Sequence, residues 1–182
     1  MQPPPPPLNI AQLKTLVAQA DIIVVGKINE VKETEGTIEA TLGIEKLLKG
    51  KIAGKTIVIK ETYKTFNSSS PALGLKDGGE SQKKMIIRST AGPSAYHGKY
   101  KKDSRIIALM EKIEGTDNYR PLGSGTYNKH LCEFLIENDG IKSIEINYFR
   151  FAEDVRKYIG SEKQFISFIK KLIKSSSNQG GK

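Results

Sequence analysis

The sequence contains a segment that resembles a phosphate-binding loop, GKIAGKT over residues 50–56. A P-loop needs four residues between its two glycines, so that successive N–H groups wrap the phosphates, and it opens a helix. Here three residues separate Gly50 from Gly54, and the run TIVIK over residues 56–60 favours a strand. We therefore predict a turn between two strands and no phosphate site.

The two histidines and the single cysteine do not form a spaced set of metal ligands. A zinc site needs three or four nitrogen, sulfur or oxygen ligands, and neither His97 nor His130 belongs to an H-x-x-x-H pair. Cys132 lies among apolar residues, which predicts a core thiol, with a reactive thiol near Lys129 and His130 as the alternative. We predict no metal, no cofactor and no intramolecular disulfide.

No nucleophile motif is recognisable. The sequence has no G-x-S-x-G elbow, and GSG over residues 123–125 is typical of a turn. A serine–histidine pair formed only by folding stays open as an alternative, drawn from Ser94 or Ser124 with His97 or His130. Acidic residues lie mostly beside lysines, as in EK at 45–46 and 111–112, which is typical of solvated strands.

One segment interleaves aromatic and basic residues, YHGKYKK over residues 96–102. Aromatic rings can stack on bases while lysines hold a phosphate backbone, so this pattern suits a ligand-binding surface. The same pattern also describes an exposed loop whose tyrosines fold back onto the core. The candidate surface residues are Tyr96, His97, Lys99, Tyr100, Lys101 and Lys102.

The elements that would position these residues begin with a helix. Asn9 with Gln12 three residues later forms a capping box, and the apolar spacing ends near residues 20–21. A second helix is predicted over residues 161–174, where Ser161 and Gln164 form another capping box. Its apolar stripe consists of Phe165, Phe168, Ile169 and Leu172. A shorter helical pattern precedes it, formed by Phe151, Val155, Tyr158 and Ile159.

Between the helices the apolar residues alternate as in strands. We predict a bulge at Gly26, a hairpin turn at residues 138–140, a turn at residues 115–118 and a long loop at residues 64–83. The predicted strands cover residues 22–31, 37–48, 56–60, 85–87, 104–112, 119–122, 131–137 and 141–147. The chain is thus predicted to be mainly β (α+β).

Length and composition fit one domain. The chain has 182 residues, 37% hydrophobic and 27% charged residues, and a net charge of +9 from lysines scattered along its length. No apolar run reaches the 18 residues that span a bilayer. Prolines at positions 3–7 predict a tether over residues 1–8, followed by one domain over 9–174 and a disordered tail over 175–182.

Five segments follow one another in a characteristic order of strands and turns: LVAQADIIVVGKINEV (16–31), ATLGIEKLLKGK (40–51), GKTIVIK (54–60), SRIIALMEK (104–112) and YRPLGSGTYN (119–128). This order resembles a group of small bacterial secreted proteins and lipoproteins of unassigned function, and the netrin-type module. The resemblance implies an OB-like antiparallel barrel of five to seven strands, with an N-terminal helix and one or two C-terminal helices. The metalloproteinase inhibitors of that module use an N-terminal cysteine, which this chain lacks, so no functional residue is carried over.

These patterns predict a non-catalytic binding or interaction module. The polyproline start favours an extracytoplasmic location, secreted, periplasmic or lipid-anchored, with a protein or cell-envelope component as partner and membrane contact only through an anchor. The first alternative is an OB-fold that binds single-stranded nucleic acid, which the basic composition and residues 96–102 favour. The second is an enzyme whose site is formed only by folding.

Overall fold

The computed structural model describes residues 7–34, 36–62, 99–122, 132–144 and 151–177. Ten elements follow one another in these ranges, seven strands between one N-terminal and two C-terminal helices. They are α1 (Ile10–Gln19), β1 (Ile22–Thr34), β2 (Thr37–Lys49), β3 (Thr56–Thr62), β4 (Arg105–Lys112), β5 (Tyr119–Pro121), β6 (Glu133–Glu137), β7 (Gly140–Ser143), α2 (Glu153–Arg156) and α3 (Glu162–Ser177).

Five strands close into a barrel. β1 pairs with both β2 and β4, β3 pairs with β2 and β5, and β5 pairs with β4. This confirms the predicted OB-like barrel, which has two extra strands. One pair departs from the antiparallel prediction, because β3 and β5 run parallel through the partners Ile59 and Tyr119.

The two extra strands extend the sheet from β4. β6 pairs with β4 and β7 pairs with β6, both antiparallel. The β6–β7 turn has two residues, Asn138 and Asp139, with φ angles of 51° and 64°. Two positive φ angles are what a type I′ hairpin turn requires, so the turn predicted at residues 138–140 is confirmed. β7 ends at Ser143, earlier than the predicted residue 147, and residues 145–150 lie outside the described ranges.

β5 and β6 occupy one line along the same edge of β4. The Leu122 N–H donates to the Leu109 carbonyl oxygen at 3.1 Å, and the Leu109 N–H donates to the Cys132 carbonyl oxygen at 2.8 Å. Leu122 and Cys132 therefore meet β4 at the same residue. The chain leaves this line after Leu122 and returns to it at Cys132.

The barrel encloses an apolar interior because side chains alternate along each strand. One set of strand residues points inward, and the other set faces either the helices or solvent. The inward set is Ile22, Val24, Ile28, Ile38, Ala40, Leu42, Ile57, Ile59, Ile106, Ala108, Met110 and Tyr119. Ile23, Val25, Ile107 and Leu109 instead join the core beneath α1 and α3. β4 therefore contributes buried side chains to both layers.

The predicted bulge in β1 is confirmed at Gly26. The β1–β2 register shifts between Val25 and Gly26, and a Cβ at Gly26 would lie 2.4 Å from the Gly43 carbonyl oxygen. Only a residue without a side chain allows the two strands to approach so closely.

The predicted capping box of α1 is confirmed. The Asn9 Oδ1 accepts from the Gln12 N–H at 2.9 Å, and the Gln12 Oε1 accepts from the Asn9 N–H at 3.1 Å. At the other end the Lys49 ammonium donates to the carbonyl oxygens of Val17, Ala18 and Ala20 at 2.6–2.8 Å. Both ends of this short helix are thereby satisfied.

Two predicted boundaries are wrong. The predicted tether over residues 1–8 includes Leu8, but Leu8 belongs to the folded domain. It is buried, and its carbonyl oxygen accepts a hydrogen bond from the Ala152 N–H at 2.8 Å. α3 continues to Ser177, three residues beyond the predicted end at Lys174, and its predicted apolar stripe is buried as expected. No helix in the described ranges is long and apolar enough to cross a membrane.

Candidate functional site

A carboxylate points into the barrel near the end of β3. Ile57, Ile59 and Glu61 alternate on the inward face, and Glu61 pairs across the sheet with Ile38, itself an interior residue. The Glu61 residue is only 2% exposed. The alternation that buries two isoleucines therefore buries this charge as well.

A second carboxylate enters from β6. Glu133 is the first residue of that strand and pairs with Ala108, another interior residue, so both side chains share the inner face. Glu133 has no exposed surface. Two acidic side chains from different strands thus meet inside one apolar barrel, which requires partners for both.

The partners of the two carboxylates lie on the segment that precedes β4. The Asp103 N–H donates to the Ile28 carbonyl oxygen at 2.8 Å, and the Ser104 N–H donates to that of Lys101 at 3.1 Å. Asp103 has a φ of 69°, so the chain turns sharply before β4 begins. Lys99 and Tyr100, just upstream, are both buried.

The four side chains form what we call the buried tetrad: Glu61, Lys99, Tyr100 and Glu133. The Lys99 Nζ lies 2.6 Å from the Glu61 Oε1 and also contacts the Glu133 Oε2. The Tyr100 hydroxyl oxygen lies 2.5 Å from the Glu61 Oε1 and 2.5 Å from the Glu133 Oε1. Lys99 and Tyr100 bridge β3 and β6, which do not pair with each other in the described part of the sheet.

Burial and charge act against each other in the tetrad. Burial raises the pKa of the Glu133 carboxyl, which the Lys99 ammonium opposes and the Glu61 carboxylate reinforces. Burial alone would lower the pKa of Lys99, but the carboxylates of Glu133 and Glu61 outweigh it and hold that pKa above its ordinary value. Burial and the two carboxylates together raise the pKa of the Tyr100 hydroxyl.

We infer that one carboxyl group of the tetrad carries a proton. A tyrosine hydroxyl has one proton to donate, yet the Tyr100 oxygen is 2.5 Å from a carboxyl oxygen on each side. The second contact needs a proton on a carboxyl, and Glu133, whose pKa burial raises, can hold it. The tetrad is then neutral overall, with Lys99 and Glu61 as its ion pair.

The tetrad joins parts of the chain that are far apart in sequence. Lys99 and Tyr100 are 38 and 39 positions from Glu61, and Tyr100 is 33 positions from Glu133. The contacts of the tetrad therefore hold β3, β6 and the segment before β4 together.

No known protein family matches the chain. A search of curated proteins likewise finds no significant relative. The resemblance to the netrin-type module therefore stays a prediction, and function rests on the residues themselves.

The candidate surface at residues 96–102 is divided by the structure. Lys101 and Lys102 are exposed, but Lys99 and Tyr100 are buried, so their expected contribution to an exposed surface is wrong. They turn inward because Glu61 and Glu133 would otherwise be buried without partners. Tyr96 and His97 lie outside the described residues, as do His130, Ser94 and Ser124.

Two other predictions on possible chemistry are confirmed. Residues 50–55 form the connection between β2 and β3, with no helix after the lookalike of a phosphate loop. Cys132 is a buried core residue, and burial, followed by the charge of Glu133, raises the pKa of its thiol. The described ranges contain no group of three or more histidine, cysteine or acidic side chains placed to hold a metal ion.

The outer face of the barrel carries paired charges. Lys32, Glu39 and Lys60 lie side by side on β1, β2 and β3, and the Lys60 Nζ lies 2.7 Å from the Glu39 Oε1. No aromatic side chain in the described ranges is exposed on this face. The seven described aromatic residues are all buried or half-buried, namely Tyr100, Tyr119, Phe134, Phe151, Tyr158, Phe165 and Phe168.

Proposed function

We propose that the chain is a non-catalytic, extracytoplasmic interaction module whose OB-like barrel is a scaffold. One observation carries the proposal: the tetrad side chains, all capable of acid–base chemistry, contact one another inside the barrel. Lys99 and the two glutamates have side chains no more than 2% exposed. Groups so enclosed are occupied with one another and are not exposed to solvent, which weighs against the enzyme alternative.

The place of the tetrad supports a role in holding the scaffold together. It joins β3, β6 and the segment before β4 at one end of the barrel. We place the ligand at this end of the barrel, beside the exposed side chains of Lys101 and Lys102. A protein or another cell-envelope component is the proposed partner.

The nucleic-acid alternative has less support. OB-folds bind single strands by stacking bases on exposed aromatic rings. Every described aromatic side chain is buried or half-buried, and two of the residues expected to form a binding surface, Lys99 and Tyr100, belong to the tetrad. The test below includes single-stranded nucleic acid as a possible ligand.

The test compares two double variants with the same change of charge. K101E/K102E changes the proposed surface, whereas K51E/K55E changes two exposed lysines in the β2–β3 connection, at the other end of β3. The immobilised full chain is exposed to solubilised envelope proteins, to the same fraction after protease digestion, and to a single-stranded 20-mer at low and high salt.

The proposal predicts saturable, protease-sensitive binding that K101E/K102E weakens at least about ten-fold and K51E/K55E leaves unchanged. Equal binding by all three proteins contradicts the placement of the surface. Tight, steeply salt-dependent binding of the 20-mer establishes the nucleic-acid alternative instead. Fractionation of cells that express the natural full-length gene tests the location, and recovery in the cytoplasm alone contradicts it.

A further inference from the structure

Nine basic residues of the barrel, the sheet and its connections form ion pairs with acidic side chains, namely Lys27, Lys32, Lys46, Lys60, Lys99, Arg105, Lys112, Arg120 and Lys142. The four lysines of α3 are exposed and form no ion pair with any described residue, and the same holds for isolated lysines such as Lys51 and Lys101. What sets Lys163, Lys170, Lys171 and Lys174 apart is that they lie together on one helix.

These four lysines share one face of α3. With 3.6 residues per turn, Lys163, Lys170 and Lys174 fall within about 40° of one another and Lys171 lies next to them. The opposite face holds the buried Phe165 and Leu172, so the core fixes the direction in which the lysines point. At 1.5 Å per residue they extend over about 16 Å. We call this set the lysine face.

No carboxylate in the described ranges forms an ion pair with the lysine face. α1, which packs against α3, contains no acidic residue, and Asp154 of α2 accepts a hydrogen bond from the Ile10 N–H. The single acidic residue of α3, Glu162, is bound by Arg105, with the Arg105 Nη1 2.8 Å from its Oε2. Positive charge therefore accumulates on this face of α3.

We propose that the lysine face of α3 docks on an anionic membrane surface. Its charges are all lysines, compact point charges that suit an array of lipid phosphates, whereas a specific phosphate pocket favours the bidentate arginine. The exposed residues between the lysines include Ser167 and Ser175 and no large apolar side chain. Attachment is thus electrostatic, reversible and sensitive to salt, and it needs no inserted segment.

A lipid surface is favoured over nucleic acid by what surrounds the lysines. Nucleic-acid grooves combine basic residues with exposed aromatic rings. The aromatic residues of α3, Phe165 and Phe168, are instead buried, and Tyr158, which precedes the helix, is stacked on Phe168 with ring centroids 3.9 Å apart. The proposal goes beyond the interaction module, because it uses a different surface from Lys101 and Lys102 and does not depend on the ligand bound there.

The experiment measures sedimentation of the full chain with vesicles. One set contains phosphatidylcholine and phosphatidylglycerol at 70:30, the other phosphatidylcholine alone, each at 50 and 300 mM salt. The unchanged chain is expected to bind the anionic vesicles at low salt and to be released from them at high salt. It is not expected to bind the neutral vesicles.

Two triple variants with equal charge change distinguish a specific face from general attraction. K163E/K170E/K174E reverses the lysine face, and K51E/K55E/K112E reverses three exposed lysines elsewhere. Each lysine near an anionic surface strengthens binding about five-fold, so the first variant should lose about 100-fold or more and the second much less. All six lysines are exposed, so unchanged melting temperatures show that both variants fold.

Equal losses in the two triple variants overturn the proposal, since net charge alone would then explain binding. Absence of binding to the anionic vesicles at 50 mM salt also overturns it, as does tighter binding of a single-stranded 20-mer to the lysine face. None of these results bears on the interaction module, whose test uses K101E/K102E and envelope proteins. Its failure would likewise leave the vesicle result standing.

Discussion

The Lys99 ammonium group lies 2.6 Å from the Glu61 carboxylate inside the barrel, although 38 positions separate the two residues. Both side chains are almost without solvent exposure, so each charge depends on the other. Removing one partner of a buried ion pair costs about 3–5 kcal/mol, because the remaining charge stays uncompensated. This ion pair joins two residues that are distant in sequence, and it therefore contributes to the stability of the barrel.

The two glutamates of the tetrad should respond differently to removal of their charge. If Glu133 holds a proton, E133Q preserves the neutral form and changes the free energy of unfolding by about 1 kcal/mol or less. E61Q removes the carboxylate that pairs with Lys99 and should cost about 3–5 kcal/mol. Urea unfolding at pH 7 measures both values. Equal losses in the two variants would show that the proton is not held by Glu133.

Stability should fall steeply above about pH 10. The pKa values of Lys99 and Tyr100 are both raised in the folded protein, so the folded chain keeps two protons that the unfolded chain releases. Their contribution is complete below the unfolded pKa values and is lost as the pH rises towards the folded ones. The expected slope is about 2.7 kcal/mol per pH unit from the two groups together.

The variant Y100F separates the two contributions to the alkaline transition. It removes the phenolic proton and keeps the ion pair between Lys99 and Glu61, so its slope should fall to about 1.4 kcal/mol per pH unit. Urea unfolding between pH 9 and 11 provides the measurement. A slope that Y100F leaves unchanged would mean that Tyr100 does not take part.

The bulge in β1 should tolerate no side chain. In G26A the new Cβ would lie 2.4 Å from the Gly43 carbonyl oxygen and 2.9 Å from the Leu42 Cγ, so β1 and β2 must separate. We expect a loss of about 2–3 kcal/mol in the free energy of unfolding. G54A is the matched control, because its Cβ approaches no atom closer than 4.0 Å, and it should be neutral or slightly stabilising. Similar melting temperatures for the two variants would contradict this account.

The Cys132 thiol should be inert in the folded protein. It has no exposed surface, its Sγ donates to the Leu122 carbonyl oxygen at 3.1 Å, and its raised pKa keeps it protonated. Labelling with a chromogenic disulfide reagent should be at least about 100-fold slower in buffer than in 8 M urea. Rapid labelling of the native chain would instead support the alternative, in which Cys132 is a reactive thiol near Lys129 and His130.

Local patterns predicted most of the described elements. The capping box of Asn9 and Gln12, the alternation along β2 and the turn at Asn138 and Asp139 each depend on residues close together in sequence. Such signals act before tertiary packing does, so they predict where elements begin and turn. The end of α3 was missed because Ser175 to Ser177 have weak helix propensity, although both Ser175 and Ser176 donate side-chain hydrogen bonds to the Leu172 carbonyl oxygen.

The tetrad could not be predicted in the same way. Lysine and glutamate are normally surface residues, and Lys99 looks like its exposed neighbours Lys101 and Lys102. The contacts depend on which strands pair, and that is decided by the fold as a whole. One signal was present: Glu61 continues the inward alternation of Ile57 and Ile59, so it falls at a core position of β3. A charge at a core position predicts a buried partner.

The split between β5 and β6 gives this fold a natural site for accepting foreign sequence. Leu122 and Cys132 both meet β4 at Leu109, so the backbone on either side already ends at one point of a continuous line. Lengthening a closed loop costs little, about 0.6 kcal/mol for each doubling. An epitope or a reporter peptide inserted between Leu122 and Cys132 would therefore make the barrel a display scaffold, with its insertion point set by hydrogen bonds to a single residue.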